Sequence, residues 1–242
     1  MATGSLATGI QPRSAARPKA DVSGPEISDH LSPNCGLRRD GLTPNLIVIH
    51  YTAMDCAKAA RDRLCDPEAE VSAHYLIANS GEILRLVPED RRAWHAGAGE
   101  WAGLADINSR SVGIELDNTG AHPFSERQMQ ALEALLGQIM TRWSIEPAGV
   151  IGHSDMAPGR KCDPGPRFDW ARLARQGLAR PAAEPVAATG EVTVDKYRAA
   201  ACAAGFTADA PLDDLLTATR LRFAPWRRGA LRSEDLNLPP LG

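Results

Sequence analysis

The stretch LIVIHY, residues 46–51, is a continuous apolar run that ends in a histidine and a tyrosine. Such a run is typical of a central strand that is buried on both faces of a sheet. The stretch GVIGH, residues 149–153, is a shorter strand pattern that again ends in a histidine. We therefore expect His50 and His153 at equivalent strand ends, where side chains leave the core for a cleft.

Extended and helical patterns alternate around these two strands. In SVGIELD, residues 111–117, apolar and polar residues alternate, which places Glu115 on the polar face of a strand. Ser125 begins a Ser-x-x-Gln capping box with Gln128, and a helical apolar stripe follows. The expected fold class is α/β (mixed α+β), with a central mixed β-sheet flanked by helices over residues 40–180. The remaining expected elements are a helix over 55–64 and a hairpin of 74–78 with 83–87.

The flanking segments are expected to lie outside this domain. Residues 1–39 are interpreted as a disordered leader and an approach segment, and residues 181–190 as a linker. Residues 191–242 form a small helical segment, with helices near 193–204 and 212–223. A piece this small rarely sustains its own core, so it either packs on the main domain or forms a marginal helical module. Every candidate site residue precedes it, so we expect the chemistry to survive its deletion.

Charge, cysteine content and hydropathy limit which partners and which cellular compartment we expect. A formal charge of −3 and a pI near 6.1 give no reason to expect a nucleic-acid partner. The five cysteines are an odd, irregular set without a C-x-x-C motif, which suits a reducing compartment. The first 25 residues lack the apolar core of a secretory signal, and no run is long enough to span a bilayer. We predict a cytoplasmic monomer, with the cell envelope as the alternative compartment.

The stretch GRKCDPGPRFD, residues 159–169, contains two adjacent candidate ligands, Cys162 and Asp163. Taken alone, it is compatible with a metal site, a nucleophile or a Pro/Gly-rich turn. Two histidines at strand ends and one anionic ligand would be a three-ligand set for catalytic zinc. Of the other histidines, His30 and His122 are interpreted as bystanders, whereas His74 and His95 stay open.

Several motifs in this order resemble a known family: VIHYT (48–52), SAHY (72–75), AWHAG (93–97), SVGIELDN (111–118) and GHSDMAPGRKCDPGP (152–166). The resemblance, over about residues 40–180, is to the zinc-dependent N-acetylmuramoyl-L-alanine amidases of type 2, which share their fold with peptidoglycan recognition proteins. It implies that His50, His153 and Asp163 hold zinc. It makes Cys162 incidental, with a slip of register that turns Cys162 into the third ligand as the alternative.

The resemblance also implies the catalytic groups, Glu115 and Lys161. A carboxylate beside the metal can accept a proton and pass it to the departing amine. A lysine there can stabilise the oxyanion that develops on the amide carbonyl. Without the resemblance, both residues would be interpreted as solvated surface charges.

Four further residues are candidates for substrate binding: Tyr51, Trp94, His95 and Asn108. For each of them a purely structural role is an equal alternative. The tail, residues 191–242, loosely resembles a small peptidoglycan-binding module, in degenerate form.

The resemblance implies a zinc hydrolase that cleaves the amide bond between N-acetylmuramic acid, or its 1,6-anhydro form, and L-alanine. Its partners would be peptidoglycan or muropeptide fragments. The stretch from AWHAG to Trp101 resembles the envelope branch, which accepts both forms, whereas the absence of a visible signal favours cytoplasmic recycling. A non-catalytic peptidoglycan recognition module is the alternative.

Overall fold

Six strands form one mixed sheet at the centre of the protein, in a computed structural model that describes Met1 and residues 25–184 and 191–241. Two further short strands pair with each other. The strands of the described residues are β1 (Ile27–Asp29), β2 (Cys35–Leu37), β3 (Leu46–Tyr51), β4 (Tyr75–Ile77), β5 (Ile83–Arg85), β6 (Arg91–Ala93), β7 (Ser111–Leu116) and β8 (Val150–Gly152).

The predicted central strand, β3, has an inner place in the sheet. The strand order is β1-β5-β4-β7-β3-β8, and β3 pairs in parallel with both β7 and β8. Because β4 also runs parallel to β7, four strands present their carboxyl ends at the same edge of the sheet. His50 in β3 and His153, which directly follows β8, therefore come out side by side at this edge. The expected α/β class with a mixed sheet is confirmed.

Helices cover both faces of the sheet. Those of the described residues are α1 (Ala57–Leu64), α2 (Ile107–Arg110), α3 (Glu126–Trp143), α4 (His153–Met156), α5 (Trp170–Arg175), α6 (Val194–Ala203) and α7 (Leu212–Phe223). The alternation along β3 explains the two-sided cover. Ile47 and Ile49 pack in one core cluster with α3, whereas Leu46 and Val48 pack in a second cluster with α6 and α7.

The start of α3 corrects one detail of the sequence prediction. Ser125 is the N-cap, and its hydroxyl accepts the Gln128 backbone N–H at 3.2 Å. The reciprocal half of the predicted capping box is wrong, because the Gln128 amide does not return to Ser125. It donates instead to the carbonyls of Ile77 (2.9 Å) and Asp117 (3.2 Å). Gln128 thereby ties the first turn of α3 to the ends of β4 and β7.

The segments around the main domain contribute to its sheet and its core. Residues 25–39, the end of the predicted leader and approach segment, carry β1 and β2, which pair with β5 and β6. Tyr197 and Phe206 of the tail are buried in the second core cluster beside Val48. Residues 2–24 of the predicted leader and 185–190 of the predicted linker lie outside the described residues.

No helix in the described ranges is long and apolar enough to cross a membrane.

Candidate metal centre and active site

Three side chains converge at the carboxyl edge of the sheet. His50 Nδ1 lies 2.9 Å from His153 Nδ1 and 2.9 Å from Asp163 Oδ2, and His153 Nδ1 lies 3.1 Å from the same carboxylate oxygen. All three residues are buried. His153 begins α4, and the carbonyl of Asp163 accepts the N–H of Ser154 at 2.9 Å, so the loop that carries Asp163 is fastened to this short helix.

A chain of hydrogen bonds determines which nitrogen of His50 carries the proton. The carbonyl of Ile107 can only accept, so Ser111 Oγ donates to it at 2.6 Å. Ser111 in turn accepts from His95 Nε2 at 3.1 Å, which leaves His95 Nδ1 to accept from His50 Nε2 at 3.0 Å. Burial and the neighbouring His153 lower the pKa of His50 to about 4, so the ring is neutral near pH 7. In this tautomer, His50 Nδ1 has a free lone pair.

A single hydrogen bond places the proton of His153 on Nε2, as in His50. His153 Nε2 lies 2.9 Å from the carbonyl oxygen of Ala96, which requires an N–H donor on that side of the ring. The neutral form of His153 therefore presents Nδ1 as an acceptor. This ring polarity is the usual one for a metal-ligating histidine, whose other nitrogen donates to a carbonyl or carboxylate.

The convergence fits a divalent cation. Two imidazole lone pairs and a carboxylate oxygen repel one another at about 3 Å unless a positive charge lies between them. In a tetrahedral zinc site with ligand distances of about 2.0–2.1 Å, neighbouring ligand atoms are about 3.3–3.4 Å apart. The observed triangle agrees with that edge length to within about half an ångström. A set of two histidines and one carboxylate, with a cleft in front of it, is the donor set of catalytic zinc.

Glu115 lies beside this cluster as the register partner of His50. Its Oε2 is buried and has no hydrogen-bond partner among the described residues. Burial raises the pKa of Glu115 to about 8, Asp163 adds to the rise, and Lys161 opposes it. A buried carboxylate without a partner beside a candidate metal centre is a typical feature of a proton-transferring group.

A cleft of about 380 Å³ opens in front of the cluster. It brings together all the residues predicted for metal binding and catalysis, together with Tyr51, Trp94 and His95. Lys161 is exposed at the rim, next to the exposed Cys162. The thiol of Cys162 lies 3.2 Å from the hydroxyl of Tyr51 and is not among the three clustered ligand atoms.

Asn108 is the one predicted site residue that does not line the cleft. Its side chain is buried, and its oxygen accepts the backbone N–H groups of His95 (3.0 Å) and Ala96 (2.9 Å). Asn108 therefore holds the backbone that carries His95 and the carbonyl acceptor of His153. This contact is a positioning role and gives no support to the predicted contact with substrate.

Two histidine questions that the sequence leaves open are answered by hydrogen bonds. His95 belongs to the site, because it joins His50 to Ser111. His74 is fully buried below it, where Nδ1 accepts the N–H of Gly113 at 2.9 Å and Nε2 faces the carbonyl of Arg91 at 3.1 Å. His74 thus has a structural role.

Arg160 is a functional candidate that the sequence interpretation missed. Its guanidinium donates to the carbonyl of Ala96 at 2.7 Å and also to that of Ala98. Because Ala96 is also the acceptor of His153, Arg160 fixes the wall of the cleft next to the candidate metal centre. Its position beside Lys161 in the run GRKCD was the available signal.

The fold and the site together define a class: an α/β protein with a metal-type cluster at the carboxyl edge of its sheet. The model of the N-acetylmuramoyl-L-alanine amidase family matches residues 40–166, which is more than half of the chain. The chain belongs to the N-acetylmuramoyl-L-alanine amidase family.

Curated relatives agree with this assignment. The N-acetylmuramoyl-L-alanine amidase AmiD of Escherichia coli is 40% identical over 149 residues, which cover 55% of this chain and 53% of AmiD. The 1,6-anhydro-N-acetylmuramyl-L-alanine amidase AmpD of Citrobacter freundii is 37% identical over 159 residues, which cover 59% of this chain and 85% of AmpD. The chain thus spans about half the length of AmiD and most of AmpD.

Solved structures of similar proteins match a larger part of the chain than these sequence relatives do. A complex of Escherichia coli AmiD with anhydro-N-acetylmuramic acid-L-Ala-D-gamma-Glu-L-Lys has a TM-score of 0.72 and 31% identity, and it covers 82% of this chain and 89% of the other. A complex of AmpDh3 from Pseudomonas aeruginosa with anhydromuramic pentapeptide has a TM-score of 0.70 and 31% identity, with coverage of 81% and 89%.

Proposed function

We propose that this chain is a zinc-dependent amidase that hydrolyses the bond between N-acetylmuramic acid, or its 1,6-anhydro form, and L-alanine. The observation that carries the proposal is the convergence of His50, His153 and Asp163 beside Glu115 in one cleft. Family membership supports the reaction, and the muropeptides bound to two structural relatives support the substrate class.

Zinc is the ion that the donor set suits best. His50 and His153 would hold it through Nδ1, and Asp163 through a carboxylate oxygen. Bound there, zinc supplies Lewis-acid chemistry, which acidifies water and polarises an amide carbonyl.

The remaining steps belong to this chain's own side chains. Glu115 accepts a proton from the attacking water on its buried carboxylate and returns it to the leaving amine of L-alanine. Burial and the nearby Asp163 raise the pKa of Glu115 to about 8, close enough to neutrality for the group both to accept a proton and to donate it. Lys161, at the rim of the same cleft, stabilises the negative charge that develops on the carbonyl oxygen. Trp94 and Tyr51 flank the cleft and offer flat surfaces for the sugar and the first peptide residues.

Several finer points of organisation are part of the proposal. We assign the amidase domain to residues 25–180, because β1 adds to its central sheet and β2 pairs with β6, and we keep 181–190 as the proposed linker and 191–242 as the helical segment. The odd, irregular set of five cysteines suits a reducing compartment, so we propose the cytoplasm, and we propose a monomer.

The test compares zinc-loaded, chelated and zinc-restored protein on an anhydromuropeptide and on intact sacculi. We expect the zinc-loaded and restored samples to release a peptide that begins with L-alanine, identified by mass spectrometry, and the chelated sample to release none. Tight muropeptide binding without cleavage in the zinc-loaded sample would favour the recognition module instead.

A further inference from the structure

Helix α7 of the tail packs against the segments that carry His153 and Asp163, on the side away from the cleft. Leu215 and Leu216 of α7 pack in one core cluster with Met156 of α4, the helix that His153 begins. A Cβ on Gly159, in the loop that leads to Asp163, would overlap the carboxylate of Asp214 in α7. The helix therefore packs directly against both segments that carry metal-ligand candidates.

At the end of α7, Arg222 is buried in this contact, with a side chain only 3% exposed. Its guanidinium lies 3.5 Å from the ring centroid of Trp170, and Nη1 lies 3.8 Å from Asp155 Oδ2. Nη1 has no hydrogen-bond partner in the described part of the chain. Burial lowers the pKa of Arg222 to about 10, with Asp155 opposing the shift, so the group is still charged at neutral pH. A buried cation of this kind depends on its anionic neighbour, here Asp155.

Asp155 connects this cation to the first ligand segment. Its Oδ2, the oxygen nearest Arg222, accepts the backbone N–H of Gly152 at 2.8 Å. That bond closes a short ring over His153 and Ser154, and so fixes the backbone from which the His153 ring projects. The position of Asp155 therefore bears on the direction of His153 Nδ1.

Trp170 connects Arg222 to the second ligand segment. A Cβ on Gly152 would lie 2.8 Å from Pro164, 3.3 Å from Trp170 and 3.4 Å from the carbonyl of Asp163. The segments that carry His153 and Asp163 thus meet at Gly152, with Trp170 packed against the meeting point and Arg222 over its ring.

We infer that Arg222 is a positioning residue of the metal centre, which acts on His153 through Asp155 and on Asp163 through Trp170. The inference rests on the proposed zinc site and assigns the tail a part in building that site. Groups that contact metal ligands directly set the ligand direction, and their loss typically weakens metal affinity about 10- to 100-fold; Arg222 lies one contact further out, so its loss should fall at the lower end of that range.

The same helix offers a matched control. Arg220 is also buried and pairs with Asp235 at 2.6 Å, and both residues belong to the tail. Arg220→Met removes a buried ion pair from α7 without touching α4 or Trp170. A purely structural role of the tail predicts the same outcome for Arg220→Met and Arg222→Met.

The test measures zinc dissociation constants of the full chain by competition with a chromogenic chelator, well below the unfolding temperature of each variant. We expect Arg222→Met to weaken zinc binding about 10-fold, and Arg220→Met to stay within about twofold of the wild type. The double variant Arg222→Met with Asp155→Asn should lose less affinity than the sum of the two single losses, because both changes act on His153 through Asp155.

Unchanged affinity in Arg222→Met, equal losses in both arginine variants, or additive losses in the double variant would overturn the inference. Should Arg222→Met not fold, Arg222→Lys against Arg220→Lys provides the same comparison with the same two outcomes. A wild-type protein that binds no zinc would refute the proposed function as well. Tight wild-type binding with unaffected variants would refute only the role of Arg222.

Discussion

His50 and Glu115 lie directly opposite each other on the neighbouring parallel strands β3 and β7. This register places a metal-ligand candidate and a proton-transfer candidate in the same cleft without any loop between them. Sites built on strands are positioned more accurately than sites built on loops. The pairing therefore makes the separation of metal binding from proton transfer testable.

Glu115→Gln should separate the two functions. The amide has nearly the same shape but cannot accept a proton, so zinc content and folding should stay normal. Turnover should fall on the order of 10²- to 10⁴-fold, the usual range for losing a general base. Asp117→Asn, which lies directly after the end of β7 and outside the cleft, is the matched control and should remain active. Near wild-type turnover in zinc-loaded Glu115→Gln would assign the proton transfer to another group.

Asp163→Ala and Cys162→Ser test which of two neighbours is the third ligand. Asp163 Oδ2 is part of the buried triangle, whereas the Cys162 side chain is exposed. We expect the alanine variant to lose stoichiometric zinc, because affinity depends on the number of deprotonated donors. The serine variant should retain zinc and activity. The reverse pattern, measured by elemental analysis after gel filtration, would show that the ligand register is shifted by one residue.

We expect Asn108→Ala to lower the stability and the metal affinity of the protein more than its affinity for substrate. The change leaves the buried N–H of Ala96 and the partly buried N–H of His95 without their acceptor. The expected loss is about 1–3 kcal/mol in the free energy of unfolding, measured by urea denaturation. Asn108→Asp keeps an acceptor oxygen and should lose less. A raised KM with unchanged stability would instead support the contact with substrate.

The metal-free protein should lose stability as the pH falls below about 6.5, in part through His74. Burial, together with the nearby Arg38, lowers the pKa of His74 to about 3 in the folded state. Between this value and the unfolded pKa near 6.5, only the unfolded chain binds the proton, so acid favours unfolding. The contribution of His74 amounts to about 1.4 kcal/mol at pH 5.5.

Chelated wild type and His74→Gln, denatured in urea at pH 7.5 and 5.5, provide the measurement. The variant should show a smaller drop between the two pH values. An equal drop in both proteins would show that His74 does not contribute to the loss of stability in acid.

Deleting residues 191–242 should destabilise the whole protein, although the sequence alone predicts that the chemistry survives this deletion. The tail covers the face of β3 that carries Leu46 and Val48, and it also buries Trp101. Exposing a contiguous apolar face of this kind favours aggregation and unfolding. Thermal melts of the full and truncated chains check this. A monomeric truncated chain with the full-length melting temperature and zinc affinity would contradict both the packing argument and the role of Arg222.

The sequence predicts the parts of this fold that periodicity controls. The continuous apolar run at β3 and the alternation at β7 both predict strands of the observed lengths. The helical patterns of α3 and α7 agree with the structure to within a residue. The three-residue strands β1 and β2 were not predicted, because they are too short for a pattern and exist through their partners β5 and β6.

The site residues also fall into those that the sequence indicates and those that it does not. His50 and His153 were indicated by strand ends, while the roles of Glu115, Lys161 and Asp163 depended on the family resemblance. The contacts of Asn108 and Arg222 could not be predicted from the sequence, because they join segments that are separated in the chain. A buried arginine on the apolar face of α7 has no signature in a helical stripe.

The most direct test of the central claim is cleavage of an anhydromuropeptide by the zinc-loaded protein in oxygen-18 water. Hydrolysis of the lactyl amide must place one labelled oxygen in the new carboxyl group of the muramic acid product and none in the released peptide. Mass spectrometry of both products is expected to show this distribution, with an unlabelled peptide that begins with L-alanine. Label in the peptide, cleavage at another bond, or an intact substrate would contradict the account.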